Sequence, residues 1–179
     1  MAFARVLKLL YGRDRDVAII QAAVGRAVGT TNLMINVDNP TISTASQPFI
    51  RAAQGARGWE GETWSKSISV RVITLDALIR EFGLPAFVKI DVEGFEPEVL
   101  AGLTQPVAAL SFEFTTIQRE VAIGCLERCE ALGLVRFNAS LGDSQTFVHE
   151  QWIDRVSIEH WLRAVLHEAN SGDVYAIRT

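Results

Sequence analysis

Between Thr74 and Phe114 the chain changes its hydrophobic period three times. "TLDALIREFG" places Leu75, Leu78, Ile79 and Phe82 on one helical stripe, with Thr74 as N-cap and Gly83 as stop. "AFVKIDV" then reads as a strand, a helix begins near Pro97, and "VAALSFEF", Val107 to Phe114, reads as a strand again. Parallel strands need long crossovers, and helices are the usual ones, so this rhythm predicts an α/β fold with a parallel sheet.

The flanks extend the pattern. Phe3, Val6, Leu7 and Leu10 share a helical face that ends at Gly12, and "VAIIQAAV", Val17 to Val24, reads as a strand covered on both faces. Leu33 to Val37 and Ser69 to Ile73 are further strand candidates. The polar, glycine-containing stretch between them, Asn39 to Ser67, reads as a long loop whose Trp59 and Trp64 act as surface anchors rather than lid aromatics. After Phe114 the spacing predicts a helix from Thr116 to Leu132, capped by Thr115 with Gln118 in capping-box spacing and ended by Gly133. Short strands follow at Leu134 to Phe137 and Gln145 to Val148. Ser157 is the expected N-cap of a last helix containing Ile158, Trp161, Leu162, Val165 and Leu166, and "DVYAI" closes as a strand, with antiparallel pairing expected toward this end.

Composition then excludes whole classes of function. The 179 residues, 49% hydrophobic, suffice for one cored domain over residues 1–179. A net charge of −4 without a Lys/Arg cluster gives no footprint for nucleic acid. No apolar run approaches a membrane span, and residues 1–11 lack a signal peptide's cleavage region, so the expected location is the cytoplasm. Cys125 and Cys129 fall on one helical face with too few partners for zinc, and read as buried thiols.

The remaining question is why "FVKIDVEGFEPEVL", Phe87 to Leu100, carries so much charge. Ligands of open α/β sheets bind beyond the carboxyl ends of the strands, and Asp91 to Glu96 is such a junction. Alternation puts Lys89 and Asp91 on one face of their strand, and Ser111 and Glu113 on one face of the next. If the strands are neighbours, Lys89 is expected to lie buried between Asp91 and Glu113. Asp91 is the candidate catalytic carboxylate, with Glu93 on the same rim and Gly94 allowing close backbone approach. Lys89, Glu113 and Asn138 are expected to support the pocket. Glu96 and Glu98 read as favouring the helix N-terminus through its dipole. Asp91, Glu93 and Glu113 are also a conceivable oxygen-ligand set for magnesium, but Lys89 beside them argues against a dedicated cation site and no metal is assigned. His160 and His167 read as a solvated helical face, and His149 is left open.

"VITLDALIREFGLPAFVKIDVEGFEPEVLAGL", Val72 to Leu103, resembles the signature of the FkbM family of S-adenosylmethionine-dependent methyltransferases. "LSFEF", "FNASLGDS", "GDVYAI" and the early "AAVG" extend the similarity along the chain. The resemblance implies a Rossmann-like class I methyltransferase sheet with helices on both faces. It also implies methyl transfer from S-adenosylmethionine to a hydroxyl oxygen of a small molecule, sugar or lipid. Asp91 would orient the acceptor, and would deprotonate it only if burial raised its pKa.

The family's first strand, its glycine-rich cofactor loop and the following strand are not recognisable in this chain, so the expected fold lacks that strand-helix-strand unit. "AVGRAVG" has Gly25 and Gly29 in suitable spacing, but a strand rather than a helix follows. Weak cofactor binding by the chain alone is therefore expected. So are exposed sheet edges that another copy of the chain could cover. The competing expectation is a non-catalytic remnant acting as a binding or oligomerisation module.

Overall fold

The computed structural model describes residues 2–144 and 146–178, and side chains from Ala4 onward. Among the described residues there are two sheets flanked by helices. The first sheet has the order β1-β3-β2, where β1 is Ala23–Val24, β2 is Gly29–Ile35 and β3 is Lys66–Ile73. The second has the order β4-β5-β7-β6, where β4 is Val88–Ile90, β5 Ala109–Thr115, β6 Arg136–Leu141 and β7 Ser171–Ile177. The helices are α1 (Ala2–Tyr11), α2 (Gln47–Ala53), α3 (Leu75–Phe82), α4 (Glu96–Ala101), α5 (Arg119–Ala131) and α6 (Arg155–Ala164).

Pairing β4 with β5 is parallel, whereas β7 runs antiparallel between β5 and β6. The antiparallel end that the alternation predicts is present, but it is the larger part: one of this sheet's three pairings is parallel and two are antiparallel, and the first sheet is mixed as well. Leu110, Phe112 and Phe114 of β5, Val174 and Ala176 of β7, and Phe137 and Ala139 of β6 all enter one core with Val99 and Leu100 of α4, Ile123 and Leu126 of α5, and Ile158 and Leu162 of α6. Cys125 and Cys129 lie in that core as free thiols, and burial pushes Cys129 up to about 12. The alternate residues of the strands, Lys89, Glu113, Asp173 and Tyr175, face the other way.

Several boundaries differ from the sequence reading, each for a local reason. The apolar run from Val17 forms a strand only at Ala23 and Val24, because these alone find a partner, Val72 and Ile73 of β3; Val17 is exposed. β2 starts earlier and ends earlier than expected. Its polar Thr30 to Asn32 ladder fully with β3, and Asn36 then closes the strand by accepting the amides of Asp38 and Asn39. The region expected as a loop holds α2, capped by Ser46, and a small core of Phe49, Ala53 and Trp59. Both indoles there are anchors: Trp59 donates to Asn170 Oδ1 at 3.0 Å and Trp64 to the Ile42 carbonyl at 2.8 Å.

Thr115 does not cap α5. It remains in β5, paired with Ser171, so the helix starts at Arg119 behind Gln118 without a side-chain cap. Asp154 rather than Ser157 caps α6, accepting the Ser157 amide at 2.8 Å, and the helix ends before Val165 and Leu166. His167 is outside α6, its Nδ1 2.7 Å from the Thr116 hydroxyl. Gln145 lies outside the described residues, and Thr146 to Val148 are not a strand.

Among the described residues no strand pairing joins the two sheets, so β1 does not pair with β4. They are tied instead by side chains and close backbone packing. Arg26, just past β1, grips Glu98 of α4 through two hydrogen bonds, which gives Glu98 a structural role. Gly102 packs so tightly on the Gly25 carbonyl that a Cβ there would lie 2.3 Å from it. No described helix is long and apolar enough to cross a membrane.

Candidate active site

A cleft of about 530 Å³ opens where the carboxyl ends of β4, β5 and β6 meet the start of β7. Lys89, Asp91, Glu113, Ser140, Asp143, Phe147, Asp173 and Tyr175 line it. The sheet register explains this set, since Lys89 lies opposite Ser111, Glu113 opposite Asp173, and Asp173 opposite Ser140, all on the face turned from the helices.

The buried triad does not form. Lys89 is half-exposed, at 49% of its side-chain surface, and its Nζ donates to Asp173 Oδ1 at 2.7 Å while reaching Asp91 Oδ2 at 3.5 Å. Partial burial would lower its pKa, but Asp173 and then Asp91 more than offset this, and the ammonium is held charged. Such a half-exposed pair is a modest contributor. Lys89→Met is therefore expected to lower stability by about 1 kcal/mol, not the several that a buried triad would cost. A denaturant midpoint shifted by more than about twice that amount would restore the triad.

Asp91, Glu93 and Glu113 do come together: each offers a carboxylate oxygen within 4.8 Å of the others. Asp91 stands on the exposed rim. Glu93 is only 8% exposed and takes a left-handed φ of 54°, and its carbonyl accepts the Thr44 hydroxyl at 2.7 Å. The next residue, Gly94, is left-handed too, and a Cβ there would sit 2.8 Å from Phe49 Cβ. Close approach of the backbone at Gly94 thus serves α2. Glu96 is more than a helix-dipole partner: it is buried, and its Oε1 accepts the amides of Gly94 at 3.1 Å and Val92 at 3.4 Å, closing the loop onto α4.

Asn138 is buried away from the cleft lining. Its amide donates to the His149 carbonyl at 2.9 Å and its Oδ1 accepts the amides of Ala139 and His149, so it pins the segment after β6. The His149 ring packs on Trp161, and burial lowers its pKa. Sequence reasoning missed Asp173, Tyr175 and Phe147. For Asp173 and Tyr175 a signal was present, because "DVYAI" alternates as regularly as "FVKIDV"; what was absent was the knowledge that β7 inserts beside β5.

Burial raises the carboxyl pKa values here. Glu113 is held well above the ordinary carboxylate range, first by burial and then by repulsion from Glu93, Asp91, Glu96 and Asp173. Glu93 is raised by burial and then by Asp91 and Glu96. Glu96 is pushed up to about 7, chiefly by burial, against the opposing effect of its backbone hydrogen bonds. Above about pH 4.5 the unfolded chain releases protons that the folded chain keeps, so these groups stabilise the fold at low pH and lose that contribution as pH rises through neutrality. In chelator, the free energy of unfolding should fall by about 2 kcal/mol or more from weakly acid to alkaline pH, and Glu113→Gln should flatten the profile. Denaturation across pH checks this, and stability that rises over the same window would contradict it.

The methyltransferase FkbM domain matches residues 4–157. The chain belongs to the FkbM methyltransferase family. That match takes in Lys89, Asp91, Glu93, Gly94, Glu113 and Asn138, and leaves Asp173 and Tyr175 beyond it. No curated protein matches the chain. In this FkbM domain the segment after β1 does not fit a cofactor cradle. Gly25 is packed between Val72 and Phe95, its amide donates to the Ile73 carbonyl, and the chain goes on into β2 rather than into a helix.

Proposed function

We propose that this FkbM methyltransferase methylates a hydroxyl oxygen, and that the cleft over β4, β5 and β7 receives the acceptor. The supporting observation is the make-up of the cleft, where carboxylates of Asp91, Glu113, Asp143 and Asp173 surround a wall of Phe147 and Tyr175. Carboxyl oxygens, protonated or ionised, accept hydrogen bonds from hydroxyls, and aromatic faces cover apolar C–H surface. A polyhydroxylated acceptor, such as a sugar or the head of a glycolipid, meets both demands. Tyr175 is braced by Phe147 at 5.1 Å and stacked with Phe87 at 6.4 Å, so its ring is a rigid platform.

S-adenosylmethionine is the family's usual methyl donor and would supply the electrophilic methyl group. The residues after β1 do not fit its methionine end, so the chemistry derived from this chain is that of the acceptor side. Asp91 accepts a hydrogen bond from the reacting hydroxyl, aims its lone pair and takes up the proton that the oxygen sheds as it gains the methyl group. Lys89 holds Asp173 and leans on Asp91, which fixes the rim. Alignment carries most of the benefit in such a displacement.

Incubation with methyl-labelled donor and a panel of sugars, polyols, glycolipids, carboxylic acids and amines tests the reading. Label is expected in a base-stable ether linkage on a hydroxylated acceptor. Label confined to amines or base-labile esters would refute it. Tyr175→Ala should raise the acceptor KM about 10-fold with a smaller change in kcat, as loss of a stacking platform does. A second reading, favoured by the packed Gly25 segment, is a module that binds the acceptor without transferring a methyl group; binding without label would distinguish it. On either reading β1 and β4, each paired on one side only among the described residues, are the strands a second copy would extend.

A further inference from the structure

Lys89 stands on the exposed side of this cleft, its ammonium on Asp173 Oδ1 at 2.7 Å and more distantly on Asp91 Oδ2 at 3.5 Å, so Asp173 takes the larger share of its charge. Behind it, Glu93 is more than nine-tenths buried, and its Oε2 has no hydrogen-bond partner among the described residues. Glu113 Oε2 is likewise buried and unpartnered. The neighbouring donors are already committed, with the Gly94 and Val92 amides on Glu96 and the Thr44 hydroxyl on the Glu93 carbonyl. Glu113 also borders a void of about 10 Å³ with Gln118, whose Oε1 is a third buried acceptor without a donor. That volume is close to what one water needs.

Converging carboxylate oxygens without protein donors are surroundings that a hard cation satisfies. Oxygens held by one magnesium-sized ion at about 2.0 to 2.1 Å stand at most about 4.2 Å apart, and these three already lie within 4.8 Å of one another, so a small inward shift of the side chains brings them to one ion. No cysteine or histidine belongs to the group, which disfavours zinc. We propose that Asp91, Glu93 and Glu113 hold one hard divalent cation of the magnesium and manganese type at the base of the cleft. Asp91 and Glu113 both line the cleft, so the ion's open coordination positions face it.

The inference is independent of the methyl-transfer reading, because the test needs neither donor nor acceptor. Manganese is titrated into the full chain near neutral pH, and the free ion is followed by its paramagnetic resonance signal. One Mn²⁺ per chain is expected, with a dissociation constant of about 0.1 mM or tighter, displaced by Mg²⁺. Glu93→Gln and Glu113→Gln should each weaken binding about 10-fold or more, while circular dichroism shows them folded. Lys89→Met, on the exposed side, should tighten binding about 3-fold or more by removing a like charge, and it carries the test if either glutamine variant does not fold. No saturable binding up to about 5 mM, or equal binding by wild type and all folded variants, would overturn the site.

Discussion

Asp91→Asn is expected to lower kcat/KM for methyl transfer about 100-fold or more while leaving the melting temperature unchanged. The substitution keeps the shape of the side chain and removes its charge. Since the Asp91 side chain is 52% exposed on the rim, it takes no core contact with it. An amide in that place presents a donor as well as an acceptor toward the hydroxyl and loses the field that aligns the reacting oxygen. Glu98→Gln is the control: it loosens the grip of Arg26, away from the cleft lining, and should leave the rate near that of wild type. An Asp91→Asn enzyme within a few-fold of wild type would make the carboxylate a structural group.

A large effect on stability is expected at Gly94. Its φ of +80° costs an alanine about 1 to 2 kcal/mol, and the new methyl would meet Phe49 Cβ at 2.8 Å and Gln118 Oε1 at 2.7 Å. Together these predict a loss of about 3 kcal/mol or more. Gly55 has a φ of +74° with nothing within 4 Å, so Gly55→Ala reports the conformational cost alone, about 1 to 2 kcal/mol. The difference between the two in chemical denaturation isolates the close approach of α2. Equal losses would mean that Phe49 and Gln118 yield freely.

These two residues also mark how far the sequence could be read. Asp91 and Gly94 were legible because a carboxylate at a strand end followed by a glycine is a local pattern, and alternation within β4 and β5 placed Lys89, Asp91 and Glu113 on one face without any tertiary information. What the sequence concealed was neighbourhood. That Lys89 would find Asp173 depends on β7 entering the sheet beside β5, a pairing between residues far apart in the chain. That Gly94 serves Phe49 depends on a helix hidden in a polar stretch, where Ser46 and a proline at the first turn signal α2 only weakly. The run from Val17 misled for a related reason: strand propensity was satisfied on paper, yet only Ala23 and Val24 have a neighbour to pair with. Asn138 had the right residue type, but its donors and acceptor were committed to the backbone at His149.

The segment that includes α2 reaches the second sheet's site at two places: Thr44 and Phe49 against Glu93 and Gly94, and Trp59 on Asn170, which leads into β7. Neither attachment is part of the second sheet's hydrogen-bonded ladder. A local opening of residues 40–64 would therefore let Glu93 leave its left-handed conformation while β4, β5, β7 and β6 stayed paired. In this chain the working geometry is expected to melt before the fold that displays it.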